Sequence, residues 1–398
     1  LVKQNSIKII FVVNNLKRRG AEQQLYNFIT SLPPYIDISV FRFSNEDDFF
    51  PEIFNDERIK IYSSKYAGTY NVLKFWSLYK CLSNQKYDVL FTLGLGTALF
   101  LGRICAALTD IRIVYSCLNT FENFNSLHGL SGEYFDILNK TVNHFISKKS
   151  CSRIYRFLPN SERLTRRIRS SLKNYPVQTL YNGLKPDEFE SVSGYRPDKE
   201  IKKIYFRFKG YPTVVQAGEL DENKNQLFTL KCIEDIRLHI PDVRLLIIGD
   251  GVNRQSLREK CLTGGLDQQV IFAGQLSRMD CLYLMSKANL LVLTSNSESF
   301  PNVLLEAQSL ALPVVTFDVG ATGEIIKHNV TGYVVSHGNV KEFRESMIGL
   351  LTDKKLAQMM GRRGKKKMFR VFNMDKKAKR FLTLMEADLH RVNTASDQ

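Results

Sequence analysis

The chain has 398 residues, 44% of them apolar and 24% charged, with a net charge of +16. That composition argues against a disordered or collagen-like chain, and the length suffices for two or three domains with their own cores. Seven cysteines, an odd number with no pair at CxxC spacing, argue against a disulfide scaffold or zinc ribbon and fit a reducing compartment. The longest apolar run, residues 89–102, falls short of the roughly 20 residues that a spanning helix needs. No secretory leader is expected ahead of the strand-like run at residue 7.

Ile7 to Val13 is a continuous β-branched and aromatic run, the pattern of a strand buried on both faces. A helix with Ala21, Leu25, Phe28, Ile29 and Leu32 at helical spacing follows a basic loop. Strands are expected at 38–43, 88–93, 111–116, 142–146 and 156–161, with a helix over 71–83 and another between the strands at 88 and 111. Gly94-Leu95-Gly96 reads as a tight strand-to-helix turn, because Leu99 stands where a dinucleotide fingerprint needs its third glycine. The stretch 182–207, with Gly183, Pro186, Gly194, Pro197 and many charges, reads as a polar linker. Beyond it the pattern restarts. Strands are expected at 213–217, 243–248, 270–273, 290–294, 314–317 and 332–335, with helices between them. The last stretch, 375–392, is amphipathic and is expected to pack back on the first domain. Alternating strands and helices imply two doubly wound α/β domains, 1–190 and 191–374, facing each other across a cleft.

Open parallel sheets bind ligands at the carboxyl ends of their strands, so the loops there carry the functional expectation. The first holds Lys17, Arg18, Arg19 and Gly20; a glycine at a helix start among cations suits an anion. The second runs from Gly218 to Asn225 and offers Lys224 as a point charge for a phosphate. The third runs from Ser295 through Glu298, Phe300, Pro301, Asn302, Val303 and Leu304 to Glu306. Ser299 is the expected helix cap, with Pro301 near the first turn. Helical rise places Glu298 and Glu306 within about 12 Å. Paired carboxylates of this kind accept hydrogen bonds from vicinal hydroxyls.

Glu298 to Glu306 forms an E-x7-E arrangement that resembles the retaining, nucleotide-sugar-dependent glycosyltransferases of family 4, with the GT-B fold. Further pieces stand in the family's order: Gly20-Ala21-Glu22, Tyr87-Asp88-Val89, Asn160-Ser161, Asn182-Gly183 closed by Phe189, Gly249-Asp250-Gly251, and Gly320 to Glu324 followed by Thr331-Gly332-Tyr333. The resemblance implies that Glu306 holds the nucleotide ribose, that Glu298 contacts the donor sugar near the reacting centre, and that Lys224 neutralises the leaving diphosphate. It implies that Gly20 approaches that diphosphate from the other domain, and that Val303 and Leu304 touch base and diphosphate through their backbone. Fixed cations can stabilise such a leaving group without a metal. No Asp-x-Asp occurs anywhere in the chain, and no cofactor beyond the donor is expected.

Two departures stand out. Gly218-Glu219 occupies the place where many members carry an arginine. Cys117-Leu118-Asn119-Thr120 lacks the histidine often found beside the reacting centre, which leaves Asn119 as a substitute contact. The expected activity is transfer of a hexosyl or N-acetylhexosaminyl group from a nucleotide-sugar, UDP being the commonest base in the resembling family. The expected acceptor is a lipid-linked glycan, polyprenyl-diphosphate-borne, in bacterial surface-polysaccharide assembly. A protein or soluble acceptor, or a catalytically weak nucleotide-sugar-binding or partner subunit, stays open.

The charge is concentrated. Residues 140–173 hold ten Lys/Arg and one acid, and residues 354–380 hold twelve and one. Anionic lipid attracts such patches by about 1 kcal/mol per cation near the surface. The Arg163, Arg166, Arg167 and Arg169 cluster beside Leu158, Leu164 and Ile168 is compatible with an interfacial helix. No nucleic-acid-binding motif accompanies the charge. A cytoplasmic protein, peripheral on the inner face of the plasma membrane, is therefore expected.

Overall fold

The computed structural model describes residues 6–16, 20–44, 56–66, 72–94, 97–117, 154–171, 173 and 175–394. The chain divides into two compact units, 1–183 with 374–398, and 184–373.

The first unit contains β1 (Ile7–Val13), α1 (Gly20–Thr30), β2 (Ile36–Arg42), β3 (Ile59–Ser63), α2 (Val72–Asn84), β4 (Val89–Leu93), α3 (Thr97–Leu108), β5 (Ile113–Cys117), β6 (Ile154–Phe157) and α4 (Glu162–Ser171). The long terminal helix, Met374–Thr394, also belongs to it. Its sheet is parallel throughout, in the order β3-β2-β1-β4-β5-β6. Alternate residues of β1 serve opposite faces. Ile9, Phe11 and Val13 join the core beneath α1 and the terminal helix, whereas Ile10 and Val12 join the core beneath α2 and α3. This two-sided burial explains why β1 is apolar without alternation. The strand β3, a five-residue edge element, carried no sequence expectation. The expected strand at 142–146 lies outside the described residues, as do Leu95 and Gly96.

The second unit contains α5 (Pro186–Ser191), α6 (Lys199–Phe206), β7 (Thr213–Ala217), α7 (Gln226–Ile236), β8 (Arg244–Ile248), α8 (Arg254–Thr263), β9 (Val270–Gly274), α9 (Arg278–Ser286), β10 (Leu290–Leu293), α10 (Asn302–Ser309), β11 (Val314–Phe317), α11 (Thr322–Ile325), β12 (Gly332–Val335), α12 (Val340–Thr352) and α13 (Lys354–Val371). The terminal helix is thus α14. The second sheet is also parallel, in the order β12-β11-β10-β7-β8-β9.

The stretch 182–207 is not a structureless linker. Pro186 starts α5 where its missing N–H costs nothing, and the Asp198 side chain caps α6 by accepting from the Ile201 amide at 2.9 Å. The segment enters the second unit at Leu184, whose amide donates to the Phe372 carbonyl at 2.7 Å. The first boundary therefore lies at Gly183–Leu184, ahead of the one expected after residue 190.

The helix α14 buries Met374, Ala378, Phe381, Met385, Asp388 and Val392, a stripe at helical spacing. Phe381 packs against Phe28, Phe91 and Tyr115, with ring centroids 5.2 to 5.7 Å apart. The one acid in the stripe, Asp388, is fully buried; it accepts from Tyr115 Oη at 2.9 Å and from Arg156 Nη2 and Nε at 2.7 and 3.0 Å. A buried carboxylate needs such partners, since desolvation otherwise outweighs what its neighbours return.

Candidate active site

Each sheet reverses its strand order once. In the second unit the chain builds β7, β8 and β9 outward, then returns to place β10 on the other side of β7. The crevice beyond the carboxyl ends of β7 and β10 is where ligands bind in such sheets. The loops leaving those strands are Gly218–Asn225 and Ser295–Pro301, two of the three loops that the sequence singles out.

The two loops are fastened together by side chains that bond to backbone. Asn223 donates from Nδ2 to the Ser297 carbonyl at 3.0 Å and accepts the Ser297 amide on Oδ1 at 2.9 Å. The Asn296 amide donates to the Asn223 carbonyl at 2.8 Å, and Gln216 Nε2 donates to the Lys224 carbonyl at 3.0 Å. Thr294 Oγ1 lies 2.9 Å from the same carbonyl. This scaffold brings the Lys224 ammonium to 2.5 Å from Glu298 Oε1, which also accepts from Ser295 Oγ at 2.7 Å. The pair is shielded, Glu298 being 10% and Lys224 25% exposed, so their attraction exceeds that of a surface pair.

Glycines permit the close backbone packing beneath. A Cβ on Gly249 (φ +133°) would stand 1.9 Å from the Gly218 carbonyl oxygen, and one on Gly320 (φ +54°) 1.7 Å from that of Glu298. Both motif glycines thus let a neighbouring loop press against a site loop.

Glu306, on the exposed side of α10, has a different partner. Arg278, the first residue of α9, donates from Nη1 to Glu306 Oε1 at 2.7 Å. Its Nη2 donates to Glu188 Oε2 at 3.0 Å, and its Nε to Glu188 Oε1. Burial works against the Arg278 charge, but the carboxylates of Glu306 and Glu188 outweigh it and hold the guanidinium protonated far above its ordinary range. Arg278 therefore fixes the Glu306 carboxylate in place through Oε1.

The cap assignment changes. Pro301, not Ser299, occupies the N-cap position of α10, with extended backbone and no side-chain cap bond. Ser299 instead sits two residues ahead of the cap, where its carbonyl accepts the Ala321 amide at 3.0 Å. The Phe300 ring is buried 5.8 Å from Phe372, and Leu304 is fully buried. The Leu304 amide turns back to the Pro301 carbonyl at 3.2 Å. Asn302 and Val303, both half-buried, start the helix.

Gly20 begins α1 in the first unit. Asn119 and Lys17 to Arg19 lie outside the described residues, as do residues 140–153 of the first basic patch. The remainder of that patch does not form an interfacial helix: Leu158, Leu164 and Ile168 are buried, the latter two packed with Leu99, Phe157 and Val177. The core uses the apolar side of α4 and leaves Glu162, Ser170 and the four arginines outside. The second patch is split between α13, in the second unit, and α14, in the first. Sequence reasoning missed Arg278, Glu188, Asn223 and Gln216, whose roles arise only from tertiary contact.

The architecture, two doubly wound parallel sheets with loops fastened at a switch point, defines a GT-B protein. The solved structure of Anabaena Alr3699/HepE in complex with UDP and glucose superposes with a TM-score of 0.73 at 18% identity, covering 96% of this chain and all of that one. Residues 197–367 match the family described as glycosyl transferases group 1. It is similar to the N-acetyl-alpha-D-glucosaminyl L-malate synthase of Bacillus anthracis, 27% identical over 53% of this chain and 54% of that protein. It is also similar to the UDP-Gal:alpha-D-GlcNAc-diphosphoundecaprenol alpha-1,3-galactosyltransferase of Escherichia coli, 24% identical over 76% of each. The chain spans about half the length of the Bacillus relative. Among the described residues, no helix is long and apolar enough to cross a membrane.

Proposed function

We propose that the protein is a retaining glycosyltransferase that moves a hexosyl or N-acetylhexosaminyl group from a UDP-sugar to a lipid-linked glycan in bacterial surface-polysaccharide assembly. The observation that carries this reading is the shielded Lys224–Glu298 pair held between two fastened loops at the switch point. A diphosphate entering there competes with Glu298 for the Lys224 ammonium and stabilises departure of the nucleotide by a charge already in place. Glu298, released from the lysine, accepts hydrogen bonds from the donor sugar. Glu306, oriented by Arg278, accepts the ribose hydroxyls.

The diphosphoundecaprenol acceptor and UDP donor in the name of the Escherichia coli relative support the lipid-linked acceptor and the choice of base, as does UDP in the Anabaena structure. Lys224 supplies the leaving-group charge in this scheme, so turnover proceeds without a metal. The exposed basic side of α13 and the arginines of α4 would hold the protein to anionic lipid by charge alone, at the cytoplasmic face. The deciding experiment incubates the protein with UDP-sugars and diphosphoundecaprenol-linked GlcNAc in EDTA and reads the anomeric configuration of the product by NMR. Retention with EDTA present supports the reading; inversion, or absence of turnover with every UDP-sugar, contradicts it.

A further inference from the structure

In the first unit a small recess of about 20 Å³ lies at the carboxyl ends of β4 and β5, lined also by α1 and α14. Phe28, Phe91 and Leu93 form its apolar floor, and Cys117 closes the end of β5. Gln24, Asn182 and Lys377 are the polar side chains with donors that line it. Gln24 of α1 is buried and accepts the Gly183 amide on Oε1 at 2.9 Å, and among the described residues its Nε2 has no hydrogen-bond partner. Lys377 of α14 lies with its ammonium 4.9 Å from the Phe28 ring centroid. Among the described residues, no acid lines the recess and no carboxylate pairs with Lys377.

That arrangement is costly. Three turns further along the same helix, the buried Asp388 has a full set of partners, so the fold neutralises a charge on this face where only structure is at stake. Lys377 receives instead an aromatic ring and a cavity. Burial pushes its ammonium down to about 8, with Cys117 the titratable group that faces it from β5. A lysine kept at such a position without a counter-ion is waiting for one from solution.

We propose that this recess binds an oxyanionic group of the acceptor, a carboxylate or phosphate, with Lys377 and Gln24 as its donors and the aromatic floor against the acceptor's apolar part. The assignment to the acceptor rests on the glycosyltransferase reading. The site would select acceptors that carry negative charge, complementing the donor loops of the second unit.

The test is site-resolved amine labelling of the full chain, read by mass spectrometry, with inorganic phosphate, succinate or UDP as probes. At ten times the dissociation constant a bound anion should slow labelling of Lys377 about tenfold, by simple occupancy, while Lys341, 80% exposed, is unaffected. Protection by phosphate identifies a phosphoryl acceptor, and protection by succinate a carboxylate one. Protection lost in Gln24→Ala supports the second donor. Labelling unaffected by either anion, or slowed only by UDP, overturns the proposal. A thermal shift with UDP, measured on the same sample, keeps its failure separate from that of the donor site.

Discussion

Arg278→Ala tests whether the second unit positions Glu306 through a charge clamp. The substitution removes a guanidinium that is 22% exposed and leaves Glu188 (21%) and Glu306 (15%) facing each other without their cation. Breaking a fully buried pair from one side costs about 3–5 kcal/mol, and the residual exposure here lowers the expectation to about 2–3 kcal/mol. In a unit of this size that loss lowers the melting temperature by about 4–12 °C. The assay is a double-mutant cycle in urea with Arg278→Ala, Glu188→Ala and the pair. Glu188→Ala should cost less than Arg278→Ala, because Arg278 keeps Glu306. The coupling between the two should be about 1–3 kcal/mol. Uridine affinity should fall in Arg278→Ala even where the protein remains folded. A coupling near zero, or an Arg278→Ala variant with full stability and uridine affinity, would refute the clamp.

Gly249→Ala should destabilise the second unit by about 3 kcal/mol or more, because its Cβ meets the Gly218 carbonyl at 1.9 Å and φ is +133°; chemical denaturation measures it. Asp388→Asn should cost the first unit about 2–4 kcal/mol by leaving Arg156 buried without its carboxylate, and hydrogen exchange should show α14 opening first. Lys377→Met should raise stability at pH 7 by an amount on the order of 3 kcal/mol. The ordinary lysine value is 10.5 and the folded one about 8, so between them the unfolded chain binds the extra proton and wild-type stability rises with pH. The advantage of the methionine variant should therefore be full below pH 8 and shrink toward pH 10.5. A difference independent of pH would contradict the lowered ammonium of the half-buried Lys377.

The sheets were legible because both their faces are buried: a run such as Ile7–Val13 has one reading once its length excludes a helix. The helix α14 was legible through the spacing of Ala378, Phe381, Met385 and Val392. Residues 182–207 were not, because prolines, glycines and charges that mark a linker also start and cap short helices, as Pro186 and Asp198 do. The meeting of Lys224 and Glu298 in the candidate site was legible because both follow strand ends. Arg278 and Glu188, 90 residues apart, meet only after folding, and neither stands in a local pattern that announces the other. The interfacial reading of α4 failed for a related reason. Leu164 and Ile168 read as a surface stripe until Leu99 and Val177 are seen to cover them.

The most direct measurement of the central claim is calorimetric titration of UDP and of uridine, in EDTA, into the wild type, Glu306→Ala and Lys224→Ala. The account predicts that the wild type binds UDP without metal. It predicts that Glu306→Ala weakens both ligands about tenfold or more, and that Lys224→Ala weakens UDP by a similar factor, ~1.4 kcal/mol, with uridine unchanged. Equal UDP affinity in all three proteins would place the nucleotide elsewhere and contradict the account.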